Sequence, residues 1–405
     1  MIVHMIGNAH LDPVWLWPWQ SGADEALATF AHAVARCDET PQFIYTRGEA
    51  WLFSLVEKLD PPLFERAREL VQAGRWQIVG NQWVQPDCNL PTLDGWNKQL
   101  EIGARYFEEK FGVKSRVGYN VDSFGHPATL PDILSAHGLE NYCFHRPGPH
   151  QVELPAQTFR WRGVAGAEVI GFRIAQAYVT RTDDLYGQIQ LALEAADEKL
   201  GHTMCFYGVG NHGGGPTKGN IEYILENRRF ADDVELIFSH PQAFFDAIAD
   251  EIPSLPVVET ELQKTFPGCY SVMADIKRAQ HRGEQFLAQT EAIVEHFSRD
   301  EAAKTQRKTR LEAAWRDLCF TQFHDILAGT SASQTWESVR AMQGRARIEG
   351  EEIALETTRI WARNELPPVN FQQIVLFNPN DETWRGVIEH EPFLDFDFWG
   401  SRWLS

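Results

Sequence analysis

The sequence predicts an α/β fold in which a parallel sheet, covered by helices, is followed by a bundle of long helices. Three observations lead there. Over the first two thirds of the 405 residues, short apolar runs alternate with segments of helical period, the pattern of βαβ units. From residue 273 to about 364 the alternation gives way to long stretches with few Gly or Pro and many charges. Leu366-Pro367-Pro368 then ends the last of these, because proline has no amide hydrogen and its ring clashes with the preceding turn.

The runs 2–7, 42–46, 76–79, 116–121, 141–144, 169–173, 204–207 and 235–238 read as strands. They are short and apolar, as in a parallel sheet buried on both faces, closed or open. Helical patterns fill the gaps at 23–35, 63–73, 94–111, 130–137, 185–200 and 241–252. The later stretches 273–297, 302–328 and 334–363 read as three long helices with short connections, hence a bundle. Beyond the prolines, 374–377 and 387–390 read as two β runs around Asn378-Pro379-Asn380-Asp381. Two strands do not make an independent domain, so the end reads as the start of a truncated β domain.

The length implies two or three domains, and 43% hydrophobic with 23% charged residues is the balance of a soluble globular protein. The 56 acidic residues against 37 basic ones leave a net charge of −19. Such a surface repels phosphate backbones, so no nucleic-acid partner is expected. A neutral or cation-assisted substrate suits it better. The six cysteines are scattered without a CxxC pair and read as buried free thiols of a reducing compartment. The N-terminus lacks the basic and apolar regions of a signal peptide, and no stretch is long enough to span a bilayer. The expected location is cytoplasmic, with no membrane partner.

Chemistry concentrates in four segments. In Asn8-Ala9-His10-Leu11-Asp12-Pro13-Val14-Trp15, His10 and Asp12 lie two apart at a strand end, so both side chains can face one ion. Imidazole and carboxylate suit zinc or a similar divalent metal. Taken alone, the pair reads rather as a surface turn with a capping Asp before Pro13. The second segment, Asn120-Val121-Asp122-Ser123-Phe124-Gly125-His126-Pro127, also follows a strand, which puts Asp122 at the same rim. A strand-to-helix turn explains Gly125 and Pro127, but not a third potential ligand at that rim. The third, Phe323-His324-Asp325-Ile326-Leu327-Ala328-Gly329-Thr330-Ser331, ends a bundle helix. Its His-Asp pair is either dipole-favoured solvated charge or a ligand that ties bundle to sheet. The fourth, Gly208-Val209-Gly210-Asn211-His212-Gly213-Gly214-Gly215-Pro216-Thr217, lacks a nucleotide fingerprint. Its glycines instead permit close backbone approach to a polar ligand.

Together these motifs resemble glycoside hydrolase family 38, the α-mannosidases, in the right order from His10 to His324. The resemblance implies a catalytic seven-stranded parallel β/α barrel over 1–260, a three-helix bundle over 261–365 and a β domain beginning at 366–405. It implies zinc held by His10, Asp12, Asp122 and His324, with Asp122 also the nucleophile of a retaining reaction on mannose-containing oligosaccharides. Trp15 would stack on the sugar and Asp325 would bind its hydroxyls, with Phe124 and Asp87 lining the pocket. No motif marks the acid/base. By position, Asp183 and Asp184 are candidates, and an N-cap before Leu185 is the competing reading. A metal-dependent polysaccharide deacetylase-like hydrolase and a catalytically incomplete carbohydrate-binding fragment remain as alternatives. The aromatic cluster at residues 15–19 fits a sugar subsite, a core element or a contact in a homo-oligomer.

Overall fold

A computed structural model describes residues 1–263, 265–367, 374–380 and 382–389. Its strands are β1 (Ile2–Asn8), β2 (Tyr45–Thr46), β3 (Trp76–Gln77), β4 (Val117–Asn120), β5 (Asn141–Phe144), β6 (Thr158–Arg162), β7 (Glu168–Arg173), β8 (His202–Tyr207), β9 (Arg229–Ala231), β10 (Val234–Phe238) and β11 (Val257–Val258). They form two sheets, ordered β3-β2-β1-β10-β9 with β8 also on β1, and β11-β6-β7-β5-β4. Pairing is parallel except for β9 on β10 and β6 on β7. One backbone bond, Gly80 N to Val117 O at 2.8 Å, links the chain after β3 to β4. Among the described residues the ladders therefore make two sheets, and do not close into the single seven-stranded ring that the resemblance implies.

β1 organises the first sheet. Its residues 3–8 are buried, and Ile2 to Gly7 pair with His202 to Tyr207 of β8 while β10 and β2 share its other edge. Strand candidates 42–46 and 76–79 shrink to two paired residues each. The chain leaves the ladder there and carries its apolar side chains, such as Phe43 and Val79, into the core. Strands β6, β9 and β11 lie outside the sequence expectation. In β6, Thr158-Phe159-Arg160-Trp161-Arg162, the charges mask the apolar signal.

The bundle helices run Ala274–Phe297, Glu301–Phe320 and Thr335–Glu365. Leu287, Val294, Leu311, Trp315, Leu318, Val339 and Ile353 are buried where they meet. The expected helix 302–328 ends at Phe320, and a separate short turn, His324–Leu327, follows. Residues 374–380 and 382–389 carry no strand. The β run expected at 374–377 is irregular chain whose Phe377 packs on His296 and Phe297. In the run expected at 387–390, residues 387–389 are also irregular and His390 lies outside the described residues, as do 391–405. All six cysteines are buried and free, and no described helix is long and apolar enough to cross a membrane.

A buried polar network joins the bundle to the sheet region. Glu284 accepts hydrogen bonds from Thr92 N at 2.7 Å, Gln280 Nε2 at 2.8 Å and Gln322 Nε2 at 2.6 Å. Gln99 donates to Gln322 Oε1 at 2.8 Å and to Cys319 O at 2.7 Å. Burial pushes the Glu284 carboxyl upward, against the pull of its donors. Truncation would strand several buried donors, each costing about 1–3 kcal/mol. Glu284→Ala is therefore expected to lower stability by about 2–4 kcal/mol in denaturant unfolding, and Glu284→Gln by less, since it keeps one acceptor.

Candidate metal centre

Three separate chain segments converge on one point. β1 delivers His10 and Asp12 on the loop after Asn8, whose buried amide donates to Tyr178 O and Tyr207 O at 3.1 and 3.2 Å and fixes the strand end. β4 delivers Asp122 two residues beyond Asn120. The turn between bundle helices delivers His324, and a bridge between Pro86 and Phe323 docks it onto the sheet region. All four side chains are buried, and one ligand atom from each lies within 4.8 Å of the others.

The distances suit a cation. His10 Nε2 is 2.8 Å from Asp12 Oδ1 and 3.7 Å from Asp122 Oδ2. His324 Nε2 is 3.5 Å from Asp12 Oδ1 and 3.4 Å from Asp122 Oδ2. Metal–ligand bonds of about 2.0–2.2 Å in tetrahedral array separate ligand atoms by about 3.3–3.6 Å. His324 Nδ1 lies 2.9 Å from the carbonyl of Gln85. A carbonyl can only accept, so Nδ1 carries the proton and Nε2 presents its lone pair, the tautomer that metal ligands use. That Nε2 is buried without a hydrogen-bond partner, a cost that a bound cation removes.

The charges tell the same story. Burial alone would raise the Asp122 carboxyl, but the nearby His324, Arg146 and His10 hold it well below the usual carboxylate range. Burial alone would lower His324, yet Asp12 and Asp122 push it well above the ordinary histidine value. Burial pushes Asp325 up to about 7 against the pull of His324.

Asp122 has two distinct oxygens. Oδ2 faces the histidines, while Oδ1 accepts from Tyr178 Oη at 2.5 Å and lies 2.5 Å from Arg146 Nη1. Sequence reasoning missed both partners. Arg146 follows β5 at the same rim, which is a positional signal, whereas nothing local marks Tyr178. Phe124 stands over the centre, its ring 6.1 Å from that of His324 and 5.5 Å from the Arg146 guanidinium. Asp325 is buried beside His324 and accepts from Thr330 Oγ1. Trp15 is half-buried, and its carbonyl accepts from Ala332 N at 2.7 Å. Asp87 is buried, its Oδ1 accepting from Asn89 N and Leu90 N at 2.8 and 2.9 Å. Its first task is thus to shape the turn beside His324.

Asp183 and Asp184 stand apart from this group. Both are exposed. Asp183 accepts from Thr217 Oγ1 at 2.5 Å, and Asp184 Oδ1 accepts from Tyr186 N at 2.8 Å. The helix that follows begins at Tyr186 with Leu185 as its N-cap and no side-chain cap bond, so neither acid caps it as expected, and no described contact joins either to the cluster.

Residues 1–268 match the model of the glycosyl hydrolases family 38 N-terminal domain, and residues 264–359 that of the alpha mannosidase middle domain. The chain is 27% identical to alpha-mannosidase G of Dictyostelium discoideum over 88% of this chain and 33% of that protein. It is 26% identical to human alpha-mannosidase 2C1 over 87% of this chain and 34% of that one. The chain thus spans about one third of the length of these relatives. In fold it is similar to an alpha-mannosidase from Enterococcus faecalis V583, with a TM-score of 0.78 at 18% identity over 88% of this chain and 42% of that chain.

The cluster makes a prediction about metal binding. His324→Ala and Asp12→Ala should each weaken binding of a divalent cation by ~100-fold or more, as replacing a supporting partner alone costs about 10–100-fold. Titration calorimetry on metal-stripped protein measures this. Chelation should lower the thermal midpoint of the wild type more than that of either variant.

Proposed function

Because this chain belongs to glycoside hydrolase family 38, we propose that it is the metal-dependent catalytic part of a retaining α-mannosidase, with Asp122 as nucleophile. The observation that carries this reading is the two-sided environment of Asp122: one oxygen among His10 and His324, the other between Tyr178 and Arg146. A carboxylate held ionised and oriented in this way can attack an anomeric carbon and stabilise the positive charge that develops there.

His10, Asp12, Asp122 and His324 would hold the ion, and their nitrogen and oxygen donors suit zinc. A divalent cation held there would supply orientation for sugar hydroxyls rather than a nucleophile. The chain's own residues do the rest. Phe124 and Trp15 offer apolar surface to one face of the ring. Asp325, with burial holding its carboxyl near neutrality, can donate to or accept from a sugar hydroxyl. Arg146 and Tyr178 keep the nucleophile's Oδ1 from rotating and its charge balanced. A retaining reaction passes through an ester between Asp122 and the sugar, and needs a second titratable group about 5–5.5 Å away to protonate the leaving oxygen. The substrate class that follows is terminal α-linked mannose on oligosaccharides.

Hydrolysis of an aryl α-mannoside by the metal-loaded chain tests the proposal. Asp122→Ala should lower kcat on the order of 10⁴-fold, and NMR of the first-formed sugar should show the α anomer. A slow 2-fluoro-mannosyl substrate should leave a mass increment on the peptide containing Asp122. Stoichiometric metal without turnover, or β-configured product, would overturn the reading.

A further inference from the structure

The carbonyl of Gln85 fixes the tautomer of His324, and the side chain of the same residue is buried at the same centre. Its Oε1 accepts from Val121 N at 3.2 Å, one residue before Asp122. Its Nε2 donates to Glu49 Oε1. Only this orientation of the amide satisfies both partners, because a backbone N–H can only donate and an ionised carboxylate can only accept. Gln85 therefore holds the end of the Asp122 strand with its side chain and the His324 turn with its backbone.

Glu49 is held in turn. Its Oε2 pairs with Arg47 Nη2, and the same nitrogen lies 3.5 Å from Leu11 O, the carbonyl between His10 and Asp12. Arg47, Glu49 and Gln85 are 4%, 5% and 3% exposed, so water does not compete for these contacts. The three form one polar chain that reaches each ligand-bearing segment, at Leu11, Val121 and His324. The backbone is bent to make it. Arg47 N donates to Gln77 O at 3.0 Å and Ala50 N to Gln82 O at 2.9 Å, which fastens the loop after β2 to the chain from β3 onward. Between them, a Cβ on Gly48 would meet Val79 O at 1.8 Å. Glu49 itself has φ +68°, a costly conformation of the kind that clusters at functional sites.

An ion pair buried this deeply often stabilises a fold no better than apolar side chains of the same volume. Apolar side chains could fill the space, but could neither accept from Gln85 nor donate to Leu11 O. Resting on the metal-dependent reading of the site, we propose that Arg47, Glu49 and Gln85 are positioning residues of the metal centre. They form a buried brace that sets the spacing of His10, Asp12, Asp122 and His324 before a cation binds. None of the three belongs to the ligand cluster itself. Arg47 acts through Leu11, Gln85 through Val121 and His324, and Glu49 by holding the other two.

Titration calorimetry with zinc on the metal-stripped chain tests the brace. Gln85→Met should weaken zinc binding by about 10–100-fold and Glu49→Gln by about 10-fold, the range for replacing a partner behind a ligand. Glu49→Gln keeps the shape of its side chain, and so reports even where Gln85→Met fails to fold. The visible spectrum of the cobalt(II)-loaded protein should shift in both, because the ligand geometry changes. Arg75 is the comparator. It donates to Phe43 O, Cys37 O and Thr40 O at 2.8, 3.0 and 2.6 Å, at the other end of β3. Arg75→Ala should lower the thermal midpoint and leave zinc affinity and the cobalt spectrum unchanged. Unchanged affinity and spectrum in the brace variants would overturn the assignment. So would an equal loss in Arg75→Ala, which would mark general loosening of the fold. Wild-type protein that takes up neither metal would instead bring down the metal-dependent reading, and the assignment with it.

Discussion

Two buried carboxylates facing the same point are the constraint on which the rest of this structure depends. Asp12 and Asp122 lie among His10 and His324 with almost no solvent to screen them. Uncompensated charge at such depth is so unfavourable that a protein protonates it, pairs it or binds an ion. Here Arg146 answers one oxygen of Asp122, and the remaining oxygens turn inward to the histidines. The chain supplies ligands at cation spacing, and one of them has its tautomer fixed by the Gln85 carbonyl. A group that could hold a cation is thus built into the way three segments fold.

That grouping explains the architecture of the bundle's attachment. His324 reaches the centre only if the turn after Phe320 is held at the sheet's rim, and several independent contacts hold it there. Gln85 O accepts from both His324 N and Nδ1, Asp87 N donates to Gln322 O, and Glu284 gathers the side chain of Gln322 with Thr92. The expected unbroken helix 302–328 would point His324 elsewhere. Its interruption at Thr321 to Phe323 trades a few helical hydrogen bonds for the bridge to Pro86, and so turns the imidazole inward.

This division between local and tertiary causes sets what could be read from the sequence. The rim position of His10, Asp12 and Asp122 was legible because a polar residue just past an apolar strand lies at the strand's C-terminal rim, while their joint role rested on the motifs. The three bundle helices were legible because their length and period are local properties. His324 carried no such signal and stood out only through its motif. Tyr178 and Glu284 were invisible, since their roles exist only once distant segments meet, and Arg146 was marked only by its position after β5. Asp183 and Asp184 were candidates by position alone, because acids that precede helices are the same residue types that deliver protons; in the structure both are exposed, and they bond to Thr217 Oγ1 and Tyr186 N. The sheet was read too generously at 42–46 and 76–79 and too sparingly at Thr158–Arg162. Apolar runs report burial, while ladder pairing depends on partners.

The glycine-rich loop shows the same logic at closer range. Read alone, it excludes a nucleotide cradle and suggests only that backbone must come close to something. Folded, the loop packs on the segment bearing His10 and Asp12, and a side chain at Gly210 would collide with Val179 while one at Gly213 would collide with Thr29 and Leu11. A loop pressed so tightly cannot adjust to its neighbours, so the direction of its two larger side chains is fixed by the same contacts that fix the metal ligands. Asn211 is turned toward Tyr178 and His212 toward Glu25 and Trp17. The rigidity that orders the buried centre therefore extends outward through Asn211 and His212 to Tyr178, Glu25 and Trp17.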